Sequence, residues 1–204
     1  MKKNKAELVF IVDRSGSMSD IASDMQGAIK SVLSDQKENY EGDINVTFVR
    51  FDTEYEEVFS ERAIGDVSDE DIAIKARGGT ALLDAMGKTI NSFERRFSET
   101  DEEDRAERVL FLIITDGEEN SSHEFSRDKV FGMIKTLERD HEWGFTFIGA
   151  NQDAIQEGEK IGVSRSKSLN YSADSLGVQS MSRSVSDFTK SYLSTGEANY
   201  SNEE

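Results

Sequence analysis

Three uninterrupted apolar runs punctuate the chain: Leu8 to Val12, Val109 to Ile114 and Phe145 to Ile148. A run with no polar alternation has no solvent-facing side, so each reads as a central parallel strand covered on both faces. Two further runs, Ile44 to Phe51 and Tyr55 to Arg62, carry Val, Phe, Tyr and Thr and are separated by Asp52-Thr53-Glu54. That spacing predicts a hairpin, and hence one antiparallel edge strand. Between these runs the apolar period lengthens to that of a helix. Ile21, Met25, Ala28, Ile29, Val32 and Leu33 form one stripe, and Leu83, Met86, Ile90, Phe93 and Phe97 form a second behind Thr80. A third helix spans about Ser126 to Glu142 with Val130, Ile134 and Leu137 inward, and Trp143 follows as core. A short helix follows Asn151, a residue suited to capping it, and the last helix carries Met181, Val185, Phe188 and Tyr192. All these stripes face a core. Strands alternating with helices predict an α/β fold: a doubly wound, mostly parallel central sheet with one antiparallel edge strand and helices on both faces. Right-handed crossovers then align the strand C-termini along one edge. The acid-rich stretch Glu99 to Glu107 reads as an exposed loop, and periodicity fades from Tyr192 onward.

Composition narrows the function classes. The 204 residues suit one domain, with no apolar stretch near the roughly 20 residues that span a bilayer. The Leu8 to Val12 run is too short for a signal-peptide core. With no cysteine, disulfides, thiolate metal sites and thiol catalysis are excluded. A cytoplasmic protein is the expectation. The net charge of -17 disfavours a phosphate backbone as ligand, so no nucleic acid and no membrane are expected as partners. The same charge either solvates the surface or concentrates divalent cations and steers a basic partner.

Candidate chemistry lies where strands end. The first strand runs into Asp13-Arg14-Ser15-Gly16-Ser17-Met18, Arg77-Gly78-Gly79 leads into Thr80, and the strand ending at Thr115 delivers Asp116-Gly117. In open α/β sheets ligands bind at the carboxyl edge, near the switch in strand order, so the strands bearing Asp13 and Asp116 should be neighbours. Two carboxylates and three hydroxyls make a hard, all-oxygen donor set, suited to Mg²⁺, Mn²⁺ or Ca²⁺ and not to zinc. Gly16 is expected to allow a conformation that a side chain would resist, and Gly78-Gly79 to free the chain for Thr80. The aspartates would offset the dipole at the nearby helix start, which disfavours a cation. Asp52 is either a hairpin-turn residue or a member of the metal face. Glu118, Glu119 and Asn120 either shape a recognition surface or form a solvated loop, and His123 and His141 read as surface histidines.

Asp13-x-Ser15-x-Ser17, followed in order by Thr80 and Asp116, resembles the metal-ion-dependent adhesion site (MIDAS) of von Willebrand factor A-type domains. The resemblance covers roughly residues 5 to 190, and all five positions fit. Arg14 to Met18 and Thr115 to Asn120 look closer to bacterial and phage intracellular members than to integrins. The resemblance implies a single domain, expected over 1–194, and the loss of periodicity leaves 195–204 as a disordered acidic tail. It further implies that Ser15, Ser17 and Thr80 contact Mg²⁺ directly, and that Asp13 and Asp116 do so directly or through water. A vacant position would then take an Asp or Glu from a protein partner, in a binding module that is not an enzyme. Two other functions use the same residues. A haloacid-dehalogenase-type phosphatase also begins with a strand-terminal Asp and Mg²⁺, but needs a second Asp where Ser15 stands. A scaffold would keep the metal as a structural element only. An EF-hand loop from Asp13 would need Gly at the place of Met18, and no P-loop or dinucleotide motif occurs.

Overall fold

The computed structural model describes residues 2–150 and 153–200. Strands β1 (Lys2–Asp13), β2 (Asp43–Phe51), β3 (Tyr55–Ala63), β4 (Ala106–Thr115), β5 (Gly144–Ala150) and β6 (Ser168–Tyr171) form one sheet in the order β3-β2-β1-β4-β5-β6. β3 runs antiparallel to β2, and the other pairings are parallel. Helices α1 (Ala22–Asn39) and α5 (Ser175–Thr195) cover one face. The other is covered by α2 (Leu82–Glu99), α3 (Arg127–His141) and α4 (Ala154–Lys160). This is the doubly wound α/β architecture that the apolar pattern predicts. Strand alternation divides the core: Leu8, Phe10 and Val12 pack with α1 and α5, whereas Val9 and Ile11 pack with α2 and α3.

From β1 the chain builds outward to β2 and β3, then returns to β4 on the other flank of β1 and continues through β5 to β6. The direction of winding therefore switches between β1 and β4, and a crevice opens beyond their carboxyl ends. β1 and β4 are paired through Val12 and Ile114, which places Asp13 and Asp116 at that crevice.

Three features differ from expectation. The sixth strand, β6, has only four residues, two of them exposed or half-buried, and carries too little apolar pattern to be read as a strand. Helix α5 continues past Tyr192 to Thr195, and Gly196 closes it in the left-handed region at φ 82°. The chain beyond does not fray at once as the 195–204 boundary implied. Ala198 and Tyr200 are buried, Tyr200 stacks on Phe188 at 4.5 Å, and its hydroxyl lies 2.9 Å from Thr146 Oγ1. An apolar contact and a buried hydrogen bond hold this segment without any helical period to announce it. Asn151 and residues 201–204 lie outside the described residues; the α4 cap among them is Asp153, whose carboxylate accepts from Gln156 N at 3.1 Å. Trp143 is core as expected, edge-on to Phe93 at 5.2 Å.

Candidate metal centre

β1 is buried to its last residue, so Asp13 leaves the strand inside the protein with no exposed surface. Its two oxygens are separately held: Ser15 N donates to Oδ1 at 2.6 Å and Thr115 Oγ1 to Oδ2 at 2.6 Å. The first bond curls the chain so that Ser15 and Ser17 turn the same way, their hydroxyls 2.9 Å apart. Ser17 Oγ donates to Asp116 Oδ1 at 2.6 Å, joining the β1 loop to the end of β4.

Thr80 arrives from the loop between β3 and α2. A Cβ added at Gly117 would stand 2.9 Å from Thr80 Oγ1, 3.3 Å from Ser17 Oγ and 3.6 Å from Ser15 Oγ. Three hydroxyls thus converge on one point, which stays open because residue 117 has no side chain. The structure brings together all five residues singled out in the sequence. Asp13, Ser15, Thr80 and Asp116 are buried, whereas Ser17 is exposed, so the cradle opens to solvent on that side.

The donor chemistry fits a hard cation. Asp116 Oδ2 is buried without a hydrogen-bond partner, a costly state for a carboxylate oxygen. Burial pushes the Asp13 carboxyl up to about 6 against hydrogen bonds from Thr115 and Ser15, and the charge of Asp116 adds to the rise. Burial also raises Asp116, with the Ser17 hydrogen bond opposing it. Two carboxylates held out of water, with one Asp116 oxygen lacking any donor, are what a divalent ion would relieve. Among the described residues no group of three or more His, Cys, Asp or Glu side chains gathers as a metal cage, so any ion here depends on the hydroxyls.

Surrounding groups hold the ligand loops. Asp52, at the end of β2, is buried and receives Arg14 Nε at 2.8 Å and Arg77 Nε at 2.7 Å. Burial raises its carboxyl, but hydrogen bonds from Arg77 and the Glu54 N–H, and then Arg14, outweigh that and leave it lowered. Of the two readings its position allowed, the turn is the one seen: Glu54 N donates to Oδ1 at 2.7 Å, while Oδ2 is occupied by the guanidiniums of Arg14 and Arg77. The loop after β4 is bonded in place as well. Asn120 Oδ1 accepts from Thr80 N at 3.0 Å, and Asn120 N and Ser121 N return to Thr80 O. Glu119 accepts from Leu83 N at 2.9 Å, and Asp84 accepts from His123 N, Glu124 N and Phe125 N. Glu118 is exposed beside the cradle. Gly16 is not the strained glycine, since a Cβ there would meet only Gly78 O at an ordinary 3.5 Å. Gly78 is, with φ 68°.

Asp84 and Tyr171 gave no signal in the sequence. Asp84 looks like any polar helix residue, and Tyr171 sits on the strand whose pattern is too short. The Tyr171 hydroxyl is buried without a partner, and its phenol is pushed up by burial and then by the charges of Asp116 and Asp13.

The sequence matches the family model described as von Willebrand factor type A domain over residues 7–184. No curated protein matches it. Among solved structures it is similar to proximal thread matrix protein 1 from the mussel byssus with a zinc-occupied MIDAS motif. That match has a TM-score of 0.64 and 16% identity, over 91% of this chain and 46% of that one. A von Willebrand factor type A protein from Catenulispora acidiphila gives 0.64 and 16%, over 91% and 43%. The von Willebrand domain of a type V pilus tip protein from Porphyromonas gingivalis gives 0.56 and 10%, over 88% and 94%. At these identities the likeness is one of fold, and the chain spans under half the length of the mussel and Catenulispora proteins.

Proposed function

The chain belongs to the von Willebrand factor type A domain family, and from that premise we propose that it recognises a protein partner through a divalent metal ion, Mg²⁺ foremost. Domains of this family are in general metal-dependent protein-interaction modules and are typically non-catalytic. The observation that carries the proposal is the convergence of the Ser15, Ser17 and Thr80 hydroxyls at Gly117, beside a buried Asp116 oxygen with no partner. Ser15, Ser17 and Thr80 would hold the ion by their hydroxyls, and Asp13 and Asp116 directly or through water. When bound, the ion supplies an electrophilic point for a carboxylate of the partner. The chain itself contributes neutral hydroxyls and two aspartates, which at most balance a double positive charge. An incoming Asp or Glu is therefore attracted locally despite a net charge of -17.

Oxygen-only donors rank Mg²⁺, Mn²⁺ and Ca²⁺ ahead of softer ions. Zinc in the motif of the mussel protein argues that such a cradle admits more than one divalent ion. A non-catalytic role is favoured by the commitment of Asp13, both of whose oxygens accept hydrogen bonds, and by Ser15 in place of a second acid/base Asp. No helix among the described residues is long and apolar enough to cross a membrane. The cytoplasmic setting and the absence of nucleic-acid partners are part of the proposal. The test is capture of partner on immobilised protein in Mg²⁺, release by EDTA, and recovery with Mg²⁺ or Mn²⁺. Thr80→Ala should weaken capture severely with little effect on apo stability. Replacing one partner Asp or Glu should match that loss without adding to it. Binding that survives both chelation and Thr80→Ala assigns recognition to another surface.

A further inference from the structure

We infer that Asp52 is a positioning residue for the metal ligands, joining the loop that carries Ser15 and Ser17 to the loop that carries Thr80 and so setting metal affinity. The inference rests on the cradle being a metal site. Thr80 offers a neutral oxygen, and its loop enters through the permissive backbone of Gly78 and Gly79, so an ion alone would order it at an entropic cost. The structure shows the ordering done in advance from one buried carboxylate. Asp52 is 1% exposed, and its Oδ2 takes both guanidiniums: Arg14 Nε from within the Asp13–Ser17 loop at 2.8 Å, and Arg77 Nε from the Thr80 loop at 2.7 Å. Its main-chain oxygen accepts from Ala81 N at 2.9 Å, on the far side of Thr80.

The two loops are also stitched to each other beside this hub. Arg77 N donates to Arg14 O at 2.8 Å and Gly16 N to Gly78 O at 3.1 Å. Gly78, at φ 68°, passes so close that an added Cβ would lie 3.3 Å from Asp52 Cβ. Arg14 is itself pinned, since its Nη1 reaches Glu56 at 2.6 Å and Glu56 also receives Arg50. Arg14, 6% exposed, thus lies between two ligand positions yet turns away from the cradle to bind Asp52. Positive charge near the cation site is neutralised by Asp52 and Glu56, and those same carboxylates fix the backbone that presents the hydroxyls. Groups that orient metal ligands without touching the ion change affinity by about 10–100-fold when removed.

The test measures Mn²⁺ affinity by titration calorimetry, together with hydrogen exchange at the Arg77 and Ala81 amides in metal-free protein. Asp52→Asn should lower affinity about 10–100-fold and speed exchange at both amides. Combined with Thr80→Ala the loss should fall short of the sum of the two single losses, because part of the effect of Asp52 acts through Thr80. Arg77→Met, at a side chain 54% exposed, should fold normally and lower affinity in the same direction by a smaller factor. Wild-type affinity in folded Asp52→Asn, or a loss fully additive with Thr80→Ala, would overturn the inference. If Asp52→Asn does not fold, unchanged affinity in Arg77→Met overturns it instead. Failure of the wild-type protein to bind Mn²⁺ would overturn the metal site itself, a different result from wild-type binding unaffected by Asp52.

Discussion

Gly117 stands where three hydroxyls converge, and the distances there decide what a methyl group would do. A Cβ at 2.9 Å from Thr80 Oγ1 is closer than real Cβ contacts, so an alanine must displace Thr80 or fill the cradle. Gly117→Ala is expected to lower Mn²⁺ affinity by at least about 10-fold in a protein that still folds. Calorimetric titration checks it, and an unchanged constant would place any ion elsewhere. A second residue makes a prediction about pH. Glu7 lies on β1 among Asn45, Glu61, Lys5 and Arg96, with Oε2 buried and unpartnered. Burial raises its carboxyl from 4.5 to about 7, helped by Glu61 and opposed by Asn45, Lys5 and Arg96. The folded state therefore holds this proton more tightly than the unfolded chain. Stability from this group is full below the lower value and falls as pH rises through the window to the upper one. Glu7→Gln should remove that slope, gaining on the order of 2–3 kcal/mol over wild type at pH 8 and little at pH 4. Denaturant unfolding at both pH values measures it; equal slopes in the two proteins would show that Glu7 does not carry the charge penalty.

Among the elements, α2 and the loop after β4 are joined by Asp84 alongside Glu119. Asp84, in the first turn of α2, accepts from His123 N at 2.9 Å, Glu124 N at 2.9 Å and Phe125 N at 2.8 Å. Asp84→Ala would leave those amides without their acceptor, costing about 1–3 kcal/mol, and should speed hydrogen exchange at 123–125 more than elsewhere. Protection unchanged at those amides would mean the loop is held by Glu119 and Asn120 instead. The same elements show what sequence reveals. β1, β4 and β5 were legible because burial on both faces leaves an unbroken apolar run, and α2 because Leu83, Met86, Ile90 and Phe93 keep one face. The Asp13–Ser17 spacing was legible because its bonds are local. Asp52 could be placed at a strand end but not assigned, since its partners Arg14 and Arg77 are 38 and 25 residues away. Asp84 binds backbone 39 to 41 residues distant, which no local pattern encodes. β6 and Tyr200 leave no mark on the sequence pattern, because a short edge strand and a single anchoring aromatic have no period.

For the whole molecule, winding outward from β1 in both directions creates the crevice at the carboxyl ends of β1 and β4. An ion that binds only the folded state adds stability by mass action, about 2.7 kcal/mol at a hundredfold excess over its dissociation constant. With a net charge of -17, added salt also relieves self-repulsion, so the comparison belongs at fixed ionic strength. There Mg²⁺ should raise the melting temperature of wild type and leave Asp13→Ala unmoved, whereas equal shifts in both would mark general screening. The most direct measurement is calorimetric titration of Mg²⁺ into wild-type and Asp13→Ala protein at constant ionic strength. A single site in the wild type, absent from a folded Asp13→Ala, is the predicted result; an Asp13→Ala protein that binds Mg²⁺ as tightly as wild type would contradict the metal centre and the recognition built on it.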